Sequence, residues 1–281
     1  MLLTLNTNSL QYQLNQQATD PGVMLVDLPE FTIQQLLLRG LVIDTGLLKG
    51  WNLDNLHALR NRADQAGCPC LVLRESSPVV LNSDQSEGDD QTVQRLSLVA
   101  RAAHRLGCNA MTIKLHTTVE GEGMDHAVQF LRTVMQKIDR MELNLLIEPG
   151  NGDLNHPERL INLIKKVGGF RVGTMPSFED ALASDDLDSY LQQTAPYAGA
   201  ILATCGLGTG SRTSGSTNKS KTPAAGKALL KKEQAGIVAC LKAIQRVGYA
   251  QILAIDYVGS GNGLRAIEQT REIVIDSMET S

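Results

Sequence analysis

One unit recurs seven times between Leu41 and Tyr257: an amphipathic helix, a short turn that usually carries Gly, then a brief apolar strand. The strands read GLVID, CLVLRE, AMTIKLH, LNLLIE, FRVGTM, GAILAT and QILAIDY, and LLTLN near the N-terminus brings the count to eight. Alternating βα units predict a parallel sheet with helical crossovers. Eight of them in about 250 residues fit a closed α/β (β/α)8 (TIM) barrel. The 281 residues are therefore read as a single barrel domain. Barrels of this kind place their chemistry at the C-terminal ends of the strands, so the repeat also says where to look.

The spacing places helices at FTIQQLLLR, NLDNLHALRNRADQAG, QTVQRLSLVARAAHRLG, DHAVQFLRTVMQKIDRM, PERLINLIKKVG, DLDSYLQQTAPYA, EQAGIVACLKAIQRVG and LRAIEQTREIVIDSME. Asn52 is a candidate N-cap and Gly67 a stop. LG, VGG and VG before strands repeat the C-cap signal of a left-handed glycine. Residues 11–22 read as an irregular loop. Two further segments break the rhythm, 76–91 (acidic) and 206–227 (Gly-, Ser-, Thr- and Lys-rich), and both are expected to be flexible loop insertions. The second is either a plain surface insertion or an anion-binding lid using Arg212, Lys219 and Lys221.

The formal charge of −4 argues against a nucleic-acid surface, which needs clustered Lys and Arg. No run approaches the ~18 apolar residues of a membrane span. The N-terminus has neither the basic start nor the apolar core of a secretory signal. Five scattered cysteines suggest reduced thiols and a cytoplasmic location. Cys68 and Cys70 are read as packing residues. The expected partner is a small-molecule substrate, with no nucleic acid and no membrane; homo-oligomerisation is left open.

Side chains alternate along a strand, so Met111, Ile113 and Leu115 would face the helices while Thr112, Lys114 and His116 face the lumen. A buried Lys needs a partner. Glu148, the last residue of the next strand, supplies one, and Lys114 or His116 should lie close to it. The alternatives are a site or a salt bridge that fills a polar layer. Asp256 ends the last strand, and Gly259-Ser260-Gly261-Asn262-Gly263 follows it into a helix. That turn is either an anion site presenting backbone N–H groups, with Ser260 and Gly261 binding substrate, or an ordinary capped turn. Asp44, Arg74, Glu75 and Ser177 complete the polar set at strand ends, and Asp44, Arg74 and Ser177 are read as substrate-binding candidates.

From about Leu36 to Ile273 the chain resembles the sugar phosphate isomerase/epimerase family of xylose isomerase-like barrels, a fold shared with endonuclease IV-type enzymes. The resemblance rests on QRLSLVARAAHRLGCNAMTIKL, NLLIEPGNG, AILATCGLG and VGYAQILAIDYVG. It implies a divalent metal held by acids and a His at the ends of strands five to eight. Glu148 stands at the first ligand position and Asp256 at the last, but Met175 stands at the second, and Ala203, Thr204 and Cys205 replace the His. Two carboxylates make a poor site for Mg2+, Mn2+ or Zn2+, so the sequence leaves the cofactor unknown. The expected activity is isomerisation or epimerisation of a small sugar, sugar phosphate or related keto compound. Glu148 would be the base and Lys114, assisted by His116, would stabilise the oxyanion or form a Schiff base. The competing expectations are a barrel that binds a metabolite or protein without turnover and, less favoured by the acidic balance, a nuclease.

Overall fold

The computed structural model describes residues 1–15, 23–81, 86–117, 122–150, 152–207 and 229–279. Eight parallel strands form the ring: β1 (Leu2–Asn6), β2 (Leu41–Asp44), β3 (Cys70–Arg74), β5 (Ala110–His116), β6 (Asn144–Glu148), β7 (Val172–Thr174), β8 (Ala200–Cys205) and β9 (Ile252–Tyr257). A two-residue strand, β4 (Val79–Val80), pairs beside β5 at the rim. The pairing order is β7-β6-β5-β3-β2-β1-β9-β8. Parallel bridges Thr174↔Ala198 and Ser177↔Leu202 join the two free edges and close the barrel. The eight-strand, single-barrel expectation holds.

The local signals act as the sequence implies. Asn52 accepts from the Asn55 backbone N–H in a capping box, and Gly67 ends that helix at φ 65°. Gly107, Gly168 and Gly248 stop later helices at positive φ. The strands are apolar on both faces because both are covered. Met111, Ile113, Leu115, Ile147 and Ile255 pack outward against the helices. A separate inner cluster of Val42, Val72, Leu146, Met175, Leu202 and Ala254 fills the lower lumen. Apolar side chains thus dominate the lower layer, and the charged strand-end groups gather in the upper one.

Three segments depart from the expectation. Gln11–Asn15, within the stretch read as loop, is helical and follows a 3-10 helix over Thr7–Leu10. FTIQQLLLR stops being helical at Gln34, because Leu36 and Leu38 are drawn into the core around Leu37 at φ 54°. The acidic segment 76–91 contains β4, and from Ser86 it forms the start of the helix Ser86–Leu106. Residues 82–85 and most of 206–227, with Arg212, Lys219 and Lys221, lie outside the described residues. Among the described residues no helix is long and apolar enough to cross a membrane. All five cysteines are unpaired and buried, and burial pushes the thiols of Cys68 and Cys70 up to about 12, as packing residues should be.

Candidate active site

The upper lumen collects the last inward-facing side chain of each strand. Arg74 ends β3, and its Cα partner on β5 is Thr112. Thr112 pairs in turn with Leu146, one inward step below Glu148 on β6. Arg74 reaches over β5 and clamps Glu148 with both ends of its guanidinium. Nε donates to Oε1 at 2.8 Å and Nη2 to Oε2 at 2.7 Å. The Thr112 hydroxyl donates to the same Oε1 at 2.5 Å. The Glu148 side chain is 6% exposed and that of Arg74 21%. Burial alone would raise the Glu148 pKa, but the Arg74 charge, its hydrogen bonds, Thr112 and Lys114 outweigh it and hold the carboxyl below its ordinary range. Arg74 is kept protonated by the same acids.

Lys114 is the Cα partner of Glu148, as the parity of AMTIKLH predicts. The carboxylate nevertheless belongs to Arg74, and among the described residues Lys114 makes no hydrogen bond or ion pair. The expected Lys114–Glu148 pair is thus corrected: a bidentate guanidinium fork holds a carboxylate better than an ammonium point charge. His116 lies further up β5, where partial burial and then the Lys114 charge lower its pKa. The chain passes over this rim at Gly150, where any Cβ would meet the Leu115 carbonyl oxygen at 2.2 Å.

The other acids ring this pair. Asp44, at the end of β2, accepts from Asn8 Nδ2 at 2.9 Å and from the Gly46 N–H at 2.8 Å, and its Oδ2 stands 3.9 Å from Arg74 Nη1. Its pKa is raised by burial against the lowering pull of Gly46 and Arg74. Asp256, at the end of β9, accepts from Asn6 Nδ2 at 2.8 Å. Glu75 is neutralised by Arg95 at 2.7 Å. Ser177 caps the helix Phe178–Ala183: its hydroxyl accepts from the Asp180 N–H and donates to Asp180 Oδ2 at 2.6 Å. Glu179 and Asp180, which the sequence reading passed over, bring two more acids to this rim. Burial raises both, and the Lys114 charge acts on each. Their signal is the Ser-x-x-Asp cap spacing of SFED.

The glycine-rich turn after β9 is taken up by packing. The Tyr257 hydroxyl donates to the Ser260 carbonyl at 3.0 Å, Gly261 adopts φ 81°, and Gly263 sits so close to the Tyr257 ring that a Cβ there would meet Cδ1 at 2.2 Å. The Asn262 side chain accepts from the Leu264 N–H and from Gln13. These contacts make a capped turn, and neither Ser260 nor Gly261 enters the site proposed below.

A family model for xylose isomerase-like TIM barrels matches residues 41–277. The chain belongs to this family. No functionally curated protein matches it by sequence. Solved structures of similar shape include D-psicose 3-epimerase with D-tagatose from Clostridium cellulolyticum H10, at TM-score 0.71 and 12% identity, covering 100% of this chain and 98% of that one. A probable 3-DHS dehydratase involved in petrobactin synthesis, from Bacillus anthracis, reaches TM-score 0.74 at 13% identity, covering 98% and 99%. IOLI protein with a binding zinc atom reaches 0.66 at 14%, covering 100% and 97%. At such identities the likeness shows the fold alone.

The zinc atom bound in the last of these structures raises the question of whether this chain's own residues could hold an ion. They fit one poorly. Among the described residues no three His, Cys, Asp or Glu side chains come together as a ligand set. Both oxygens of Glu148 are committed to Arg74, and Asp256 is tied to Asn6. Met175 offers only a thioether at β7, and Cys205 on β8 is a fully buried thiol whose pKa burial raises. Hard divalent cations need several oxygen or nitrogen donors facing one point. No step is therefore routed through a metal.

Proposed function

We propose that the protein is a sugar isomerase- or epimerase-type enzyme that moves a proton next to the carbonyl of a small polyhydroxylated compound, with Lys114 meeting the substrate oxygen. One observation carries this reading. Lys114 faces the upper lumen, half-buried, and the carboxylate of its register partner Glu148 is already occupied by Arg74. A partly desolvated ammonium with no partner among the described residues is suited to a negative charge that appears only on the way to an enediolate. Glu148 suits the role of base poorly, since its oxygens accept three hydrogen bonds and its pKa is held low. We assign proton exchange instead to Asp180, which is partly buried beside Ser177 and whose carboxyl burial raises above its ordinary value. His116, lowered and thus neutral near pH 7, can relay a proton at the rim. Epimerases among the structural neighbours make this chemistry a natural first test.

The experiment is deuterium exchange. A panel of ketoses, aldoses and their oxidised derivatives is incubated with the protein in D2O, and NMR reads label appearing next to the carbonyl. Exchange or isomer formation that disappears in Lys114→Met supports the proposal; turnover unchanged in Lys114→Met and Asp180→Asn refutes the roles given to them. A second reading is favoured by the full engagement of Glu148: a barrel that binds such compounds without converting them. Thermal stabilisation by a compound that shows neither exchange nor conversion would establish that reading in its place.

A further inference from the structure

We infer that this barrel carries its cation as part of the chain: the guanidinium of Arg74 takes the place among the strand-end carboxylates that a divalent ion would otherwise fill, and the mouth holds no such ion. Three observations converge on this. The fork of Arg74 engages both oxygens of Glu148 at 2.8 and 2.7 Å, which are the oxygens a metal would have to bind. Its remaining nitrogen, Nη1, stands 3.9 Å from Asp44 Oδ2, so one cation serves two buried acids. Asp256 adds its charge to the same guanidinium, although its own side chain is held by Asn6. An ion entering here would have to displace Arg74, leaving a charged guanidinium in a largely buried site beside a metal of the same sign.

The consequence is chemical. A guanidinium is a hydrogen-bond donor of fixed shape that stays charged throughout the physiological range, but it offers no vacant coordination position. The Glu148–Arg74 unit would therefore act as a rigid wall of the site. This inference does not rest on the isomerase reading, since it concerns the binding of an ion and not turnover.

The test uses the whole chain, stripped with EDTA and titrated with Mn2+, with free Mn2+ followed by electron paramagnetic resonance and unfolding followed by thermal melting. The wild type is expected to show no saturable Mn2+ binding, and its melting temperature should be the same in Mn2+ and in EDTA. Arg74→Met leaves Asp44 and Glu148 without their cation; it should melt several degrees lower, and Mn2+ should bind saturably and restore part of the loss. Adding Glu148→Gln should abolish that recovery. Saturable binding by the wild type at one ion per chain, lost in Glu148→Gln, would overturn the assignment, as would an Arg74→Met protein that melts lower but gains nothing from Mn2+. If Arg74→Met does not fold, the wild-type titration decides alone. An absence of turnover on every sugar would end the isomerase reading and leave these titrations unaltered.

Discussion

Arg74 and Glu148 are separated by an entire strand, yet their side chains meet in a two-pronged ion pair, with Thr112 of the intervening strand bonded to the same carboxylate. This relationship sets the character of the barrel mouth. It favours Glu148 as an anion, leaves Lys114 without a hydrogen bond or ion pair among the described residues, and brings Asp44 under the influence of the same guanidinium. The two partners are largely buried, so each depends on the other for its charge compensation.

Removing one partner should cost far more than removing both. Arg74→Met or Glu148→Leu each leaves a buried charge without its partner, and about 3 kcal/mol of stability should be lost, the range seen when such pairs are broken from one side. The double variant Arg74→Met/Glu148→Leu should recover much of that loss, giving a large coupling energy in a double-mutant cycle. Urea unfolding of the four proteins measures it; strictly additive losses would show that the pair is energetically slack.

The acid limb of the stability profile should bear the mark of Glu148. Its pKa in the fold lies below the ordinary 4.5, so its contribution is fully present above the unfolded-state value and is lost as pH falls through the folded-state one. Asp44 and Asp180 are raised from 3.8 and act in the opposite sense: their contribution is present below that value and fades as pH rises through their folded-state pKa. Melting temperatures of wild type and Glu148→Gln should therefore stand well apart above pH 4.5 and converge in more acid solution. A gap of constant size throughout would mean that Glu148 titrates normally.

Lys114 should separate activity from stability. It makes no polar contact among the described residues, so Lys114→Met should change stability by no more than about 0.5 kcal/mol, as for an ordinary non-core position. Exchange next to the carbonyl should fall by about 100-fold or more, since removal of a single oxyanion donor typically costs that much. Paired melting and NMR exchange measurements check both halves; a variant that unfolds would show Lys114 to be structural.

Much of this site was readable from the chain. The alternation in AMTIKLH placed Thr112 and Lys114 in the lumen, and the helical gaps placed Glu148 and Asp256 at strand ends. The Arg74–Glu148 pair was hidden for a geometric reason. Pattern reading pairs neighbours, here β5 with β6, whereas a long guanidinium spans from β3 to β6 across the short side chain of Thr112, and that reach depends on the curvature of the closed ring. Asp180 escaped because FEDALA is too short to show a helical period, although Ser177 three residues ahead marked its cap. The turn 259–263 left two readings open, an anion site or a capped turn, and the sequence could not show that the Tyr257 ring packs against its glycines.

That ring yields the last prediction. Tyr257 is fully buried, its backbone N–H donates to Ser9 Oγ at 2.8 Å, and its ring is flanked by two glycines. A Cβ at Gly263 would stand 2.2 Å from Tyr257 Cδ1, and one at Gly206, which also has φ 86°, 2.5 Å from Cε2. Gly263→Ala must therefore push the ring or the turn aside and should cost about 1–3 kcal/mol, the range for overpacking a core. Gly50→Ala makes a useful contrast, since its φ of 80° strains the backbone while its Cβ meets nothing within 4 Å. If the ring is the cause, Gly263→Ala should become nearly neutral in a Tyr257→Leu background while Gly50→Ala keeps its full cost there. Urea unfolding of these variants tests it: a Gly263→Ala penalty undiminished by the loss of the ring would place the strain in the backbone of the turn.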